Sequence, residues 1–186
     1  MQFWYCDEKE LEEFMQKMTM LKKVATRKYP EQVVLVTTKS RKGKMNAMAV
    51  GWVAIASGDP MMFVLGIDDG AYTHELIRQT KEFVVAYPGE KMAAQVLYVG
   101  KNHGHARDKI KECGMKIQKA AKIRAPLVAD AVANFECKLV DVFQPGDCPL
   151  VVGKVVAVHE NRSPAVKRLY TVGPGHTMGS VRIKNG

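Results

Sequence analysis

Past residue 30 the chain alternates short apolar runs with tight polar breaks, as strands joined by turns do. Val33-Val34-Leu35-Val36-Thr37-Thr38 reads as a strand, closed by the turn Ser40-Arg41-Lys42-Gly43-Lys44. Residues 47–57 read as a second, longer strand, and Gly58-Asp59-Pro60 turns it into a third over residues 61–67. A fourth covers residues 83–87 and ends at Pro88-Gly89. Residues 133–142 and 150–159 form a long pair across Gln144-Pro145-Gly146-Asp147-Cys148, and their nearly unbroken apolar content predicts burial on both faces. Helical spacing appears before and between these runs. Asp7 and Glu10 fit a capping box, and Leu11, Phe14, Met15, Met18, Leu21 and Ala25 follow at helical intervals until Tyr29-Pro30 stops them. That helix would cover the sheet or, through its Met and Phe, meet a second copy. Shorter helices are predicted over Tyr72–Thr80, residues 91–99 and residues 107–113, and the polar, Gly-containing segment from Asn161 reads as a tail. Six or more strands with few helices predict a mainly β protein, a barrel with peripheral helices.

Length and charge narrow this only a little. The 186 residues suit one domain over 1–186: an N-terminal helix over 1–28, a barrel core over 29–160 and a tail over 161–186. No apolar run is long enough to span a membrane, and the first residues lack a signal-peptide pattern, so a cytoplasmic protein is expected. The net charge of +9 favours anionic ligands. The basic residues, however, are spread from Lys9 to Lys184 with no nucleic-acid motif, so no nucleic-acid partner is expected. The cysteines Cys6, Cys113, Cys137 and Cys148 show no CxxC spacing, which argues against a zinc site or a redox dithiol.

The most unusual stretch chemically is Met45-Asn46-Ala47-Met48-Ala49-Val50-Gly51-Trp52. A strand that opens with small residues and one amide leaves room for a flat ligand against the backbone, and Asn46 brings both a donor and an acceptor. Asp69-Gly70-Ala71-Tyr72-Thr73-His74-Glu75 ends a strand and opens a helix, where free amides and the Thr73 hydroxyl suit a phosphate. Plain capping by Asp69 or Thr73 accounts for the same residues. His103-Gly104-His105 is a short histidine pair without acidic or Cys company, read as a solvated loop and not as a metal site. No GxGxxG, P-loop or GxSxG occurs.

Taken in order, the segments resemble the flavoredoxin and flavin-reductase-like proteins, the FMN-binding split barrels, from about Tyr29 to His159. Pro30-Glu31-Gln32-Val33-Val34-Leu35-Val36-Thr37-Thr38 is similar to that family's first barrel strand, and Asn46-Ala47-Met48-Ala49 to its Asn-Ala-Met-Thr flavin loop. Gly104-His105-Ala106-Arg107-Asp108-Lys109, Ala125-Pro126-Leu127, Phe135-Glu136-Cys137-Lys138 and Gly146-Asp147-Cys148 resemble later family segments in the same order. The resemblance implies a six-stranded Greek-key split barrel, a homodimer, and FMN (or, in second place, FAD) near the dimer interface. It implies a flavin ring along Asn46, Ala47, Met48, Ala49 and Val50 with Trp52 nearby, and Tyr72, Thr73 and His74 holding the ribityl phosphate. No catalytic side chain is implied, because hydride transfer to a flavin needs no protein acid or base. Electrons would come from NAD(P)H or from a redox partner protein. The sequence departs from the family pattern twice: Ala49 replaces a Thr or Ser, and Cys148 replaces the His associated with the nicotinamide site, with His159 and His74 as spatial substitutes. A non-catalytic split-barrel binding protein for a nucleotide or haem is the alternative reading.

Overall fold

The computed structural model describes residues 20–181. Most of the helix expected from Asp7, and Cys6 with it, lies outside the described residues; only a turn at Leu21–Val24 and a 3-10 turn at Ala25–Arg27 fall within them. Twelve strands follow: β1 (Glu31–Gln32), β2 (Val34–Lys39), β3 (Met45–Val50), β4 (Val53–Gly58), β5 (Met61–Gly66), β6 (Glu82–Pro88), β7 (Ile117–Gln118), β8 (Leu127–Val128), β9 (Ala131–Phe143), β10 (Leu150–Glu160), β11 (Tyr170–Gly173) and β12 (Thr177–Gly179). Three helices interrupt them: α1 (Tyr72–Thr80), α2 (Ala93–Lys101) and α3 (Lys109–Glu112).

The main sheet is antiparallel, in the order β3-β2-β6-β9-β10-β5-β4. Its two edge strands, β3 and β4, are consecutive in sequence, so the curved sheet returns on itself and stays open between them: a split barrel. Seven strands replace the six expected because the run 47–57 is two strands. Gly51 and Trp52 leave the ladder: the Val53 amide donates back to the Gly51 carbonyl at 3.1 Å, and the Trp52 carbonyl accepts from the Gly66 amide at 2.8 Å. The segment after Asn161 is not a bare tail either, because β11 and β12 form a small sheet with β1.

Burial on both faces falls on β2 and β6, not on the long pair. Val34, Val36, Phe83 and Val85 enter one core cluster, while Leu35, Val84 and Ala86 enter the other with α2 and α3 residues such as Val96, Val99 and Ile110. The far half of β9 and the end of β10 reach solvent, with Val140, Phe143 and Val158 exposed.

One buried charge ties β9 to the loop before β8. Glu136 is 0% exposed; its carboxylate accepts from the amides of Ala121 (2.7 Å), Lys122 (2.7 Å) and Ile123 (3.0 Å) and lies 2.6 Å from Nε2 of His159 on β10. Burial by itself pushes this carboxyl up, but the amides and the His159 ring outweigh it and hold it below its ordinary value.

Candidate functional site

β3 pairs with β2 on one side only, so among the described residues the main-chain groups along its other edge meet no strand. A bent cleft runs along that edge in two arms. The wider arm, about 530 Å³, is walled by Met48, Ala49, Val50, Trp52 and Cys148; the second, about 360 Å³, by Asn46, Tyr72, Thr73, His103 and Lys109. Met48, Asp68, Gly100 and Lys101 border both, which makes the arms continuous. Side chains from both faces of β3 take part because the cleft follows the edge of the strand, not one face.

The wider arm is flat and small-walled. Gly100 of α2 lets the helix lie close to β3, since a Cβ there would stand 3.3 Å from the Ala49 Cβ. A Cβ at Gly66 would meet Trp52 Cε3 at 2.9 Å, so the indole lies on the bare backbone of Gly66 although it is 64% exposed. The Cys148 Sγ lies beside the same glycine. Burial, then the nearby carboxylates Asp68, Asp147 and Asp69, push the Cys148 thiol up, so it is a neutral thiol and a poor nucleophile at neutral pH.

The second arm is polar. Asn46 Nδ2 donates to Thr73 Oγ1 at 2.8 Å and joins β3 to the start of α1. Asn46 is 2% exposed, yet its Oδ1 has no partner. Turning the amide over would let Oδ1 accept from Thr73 and leave an Nδ2 donor for a ligand, the orientation being an assignment in either case. The helix α1 starts after Ala71 with no side-chain cap, so neither Asp69 nor Thr73 caps it. The loop over this arm is clamped: Lys44 Nζ donates to the carbonyls of Gly104 (2.8 Å) and His105 (2.6 Å) and sits 5.0 Å from the Tyr72 ring centroid. Gly104 has no room for a side chain, because a Cβ would overlap Asn46 Oδ1 and approach Tyr72 Cδ1 to 2.9 Å.

Of the residues singled out from sequence, Met48, Ala49, Val50, Trp52 and Cys148 line the wider arm, and Asn46, Tyr72 and Thr73 line the polar one. Ala47 turns its side chain into the core and offers the cleft main chain only. His74 is buried but faces a separate shallow depression with Asp69 and Arg78; burial, then Arg78, lower its pKa and keep it neutral. His159 is committed to Glu136, so neither histidine stands beside Cys148. His105 pairs with Glu75 at 3.3 Å, and among the described residues no group of three or more His, Cys, Asp or Glu could hold a metal. Sequence reasoning passed over Gly100, Lys101 and His176, which also line the cleft, and quoted Lys109 only as part of a family-like segment without a role. Gly100 carried a readable signal, because glycine inside a helix is unfavourable unless something packs closely against it.

The family model described as "Flavin reductase like domain" matches residues 26–173. An uncharacterised protein of Pyrococcus abyssi (strain GE5 / Orsay) is 35% identical over 129 residues, covering 69% of this chain and 73% of that protein. Among solved structures, a flavoredoxin from Methanosarcina acetivorans superposes with a TM-score of 0.80 at 23% identity, covering 92% of this chain and 95% of that one. An FMN-binding protein from Thermus thermophilus with bound p-hydroxybenzaldehyde gives 0.75 at 22% identity, covering 97% and 95%. At these identities the likeness is one of fold.

Proposed function

The chain belongs to the flavin reductase like domain family, and from that premise we propose that it is an FMN-binding flavoprotein acting in electron transfer. The observation that carries this reading is the two-armed cleft along an unpaired strand edge: a flat, small-walled arm for a tricyclic ring, joined to a polar arm for a phosphorylated side chain. The residues present fit the group, since one donor from the hydrogen-bonded Asn46–Thr73 pair, the uncapped start of α1 and the ammonium of Lys109 converge on the polar arm. When bound, FMN supplies one- and two-electron redox chemistry.

The protein's own part is binding and positioning. Ala49 and Gly100 keep the wall of the wider arm free of bulky side chains, and the free edge of β3 offers main-chain donors and acceptors to the ring's heteroatoms. Trp52 and Met48 keep water from the ring. Cys148 contributes a neutral thiol at the position where the family pattern has His, so a nicotinamide would meet no imidazole cation there. That favours a protein electron donor over NAD(P)H. The second reading, an NAD(P)H:flavin oxidoreductase, is favoured by Lys28 and His176, which line the wider arm. The exposed apolar residues Trp52, Ile55, Val140, Phe143 and Val158 suit a surface covered by a second copy, and light scattering should then give the mass of two chains.

Anaerobic reduction separates the two readings. The FMN-loaded protein is expected to bleach fully with dithionite and only slowly with NADH or NADPH. Rapid bleaching by either nucleotide would replace the carrier reading with the reductase reading. A dithionite-reducible protein that passes no electrons to any acceptor would contradict both.

A further inference from the structure

Cations that are scattered along the chain meet at one end of the main sheet. β2 ends at Lys39 and runs into the turn that carries Arg41 and Lys42, while Glu82, the first residue of β6, pairs in register with Lys138 of β9. Hydrogen bonds draw in the rest. The Arg124 guanidinium donates to the carbonyls of Ser40 (3.1 Å) and Arg41 (3.2 Å), Arg41 donates to the Gln79 carbonyl at 3.0 Å, and the Leu139 amide donates to the Lys81 carbonyl at 2.9 Å. Arg41, Lys42, Lys81, Arg124 and Lys138 are exposed, and Lys39 is half-buried. Among the described residues none of these side chains forms an ion pair. The carboxylate in their midst, Glu82, accepts from the Arg124 amide at 3.0 Å. Like charges gathered from separate stretches of chain repel one another, and a partner bearing carboxylates relieves that repulsion. The face adjoins the polar arm of the cleft: Lys39 pairs with Met45 and Thr38 with Asn46, and Lys44 of the same turn clamps the loop over that arm.

Resting on the electron-transfer reading above, we propose that this basic face docks an acidic one-electron carrier protein, the donor that reduces the bound flavin. Each encounter moves one electron from the partner's reduced centre to the flavin, and two encounters, with two protons from water, complete the two-electron reduction of FMN. Encounters of this kind rest on small, charge-steered surfaces and need no large apolar contact. Two features favour an acidic protein over a nucleic acid. The segments that carry the cations, 39–44, 81–82, 121–124 and 138–139, hold no aromatic side chain on which a base could stack. Glu82 also stands between Lys138 and Arg124, where a run of phosphates would meet a like charge.

The test mixes the FMN-loaded protein anaerobically with reduced plant-type ferredoxin, an acidic iron–sulfur carrier, and follows flavin bleaching in a stopped-flow instrument. The second-order rate is expected to fall roughly tenfold or more as salt rises from about 20 to about 300 mM. Lys42 and Lys138 lie outside the cleft and make no side-chain hydrogen bond among the described residues, so K42E/K138E should keep the wild-type melting temperature, FMN affinity and bleaching by dithionite. The same variant should slow reduction by ferredoxin about tenfold at low salt and flatten the salt dependence. A ferredoxin rate that ignores both salt and the double substitution would overturn the proposal while leaving the flavin reading intact, as would bleaching by dithionite but not by ferredoxin. Binding of a DNA or RNA oligonucleotide that K42E/K138E weakens, with the ferredoxin rate unchanged, would assign the face to nucleic acid instead. If the protein binds no FMN, the flavin reading itself fails and this inference fails with it.

Discussion

Glu136→Gln is expected to destabilise the protein by about 3 kcal/mol or more in urea unfolding. The carboxylate is fully buried and serves three backbone amides and one imidazole. A glutamine of nearly the same shape keeps one oxygen, but its NH₂ then faces amide donors, and at least one of them is left buried without an acceptor. The pH dependence has a definite sign. The folded-state pKa of Glu136 is depressed, so its contribution is fully present above the unfolded value, ordinarily about 4.5, and is lost as pH falls through the lower folded value. Wild-type stability should therefore drop on acidification below about pH 4.5, and E136Q should have lost that part of the drop. A variant as stable as the wild type at pH 7 would show that the 121–123 loop does not depend on this anchor.

Gly100→Leu should abolish flavin binding and leave the fold standing. Gly100 borders both arms of the cleft, and even a Cβ would approach Ala49 to 3.3 Å. A leucine side chain finds no room against Ala49 and would turn into the cleft where the two arms meet. In the helix itself the change is favourable, because Gly costs about 1 kcal/mol relative to good helix formers. The tight contact with Ala49 offsets that gain, so the expected result is a folded protein with a melting temperature at or somewhat below that of the wild type and FMN affinity reduced on the order of 100-fold or more. Retained affinity in a folded G100L would place the flavin elsewhere.

Much of the architecture was legible because the strands obey simple rules. The helix over Tyr72–Thr80 was read with its observed limits, and β2, β5, β6, β9 and β10 were read to within about two residues. The split between β3 and β4 was not legible. The run 47–57 carries no turn signal strong enough to divide it, and only the tertiary structure shows Gly51 and Trp52 leaving the ladder, with Trp52 exposed over Gly66. The β11–β12 hairpin was missed because its strands are three and four residues long and rich in turn formers. At the site, the small-residue run on β3 and Thr73 were readable from residue type. Lys109 was not: a lysine opening a short helix reads as solvated, and it is the Val99 carbonyl, ten positions earlier, that shows it buried. Glu136 was hidden likewise, since its partners at 121–123 and 159 meet it only in the fold.

The most direct test of the central claim is a titration of the apoprotein with FMN, together with identification of any flavin released from the protein as purified. Saturable binding of one FMN per chain, with a protein-perturbed oxidised-flavin spectrum, is the predicted result. A protein that is colourless as purified and leaves the spectrum and fluorescence of added FMN unchanged would contradict the account.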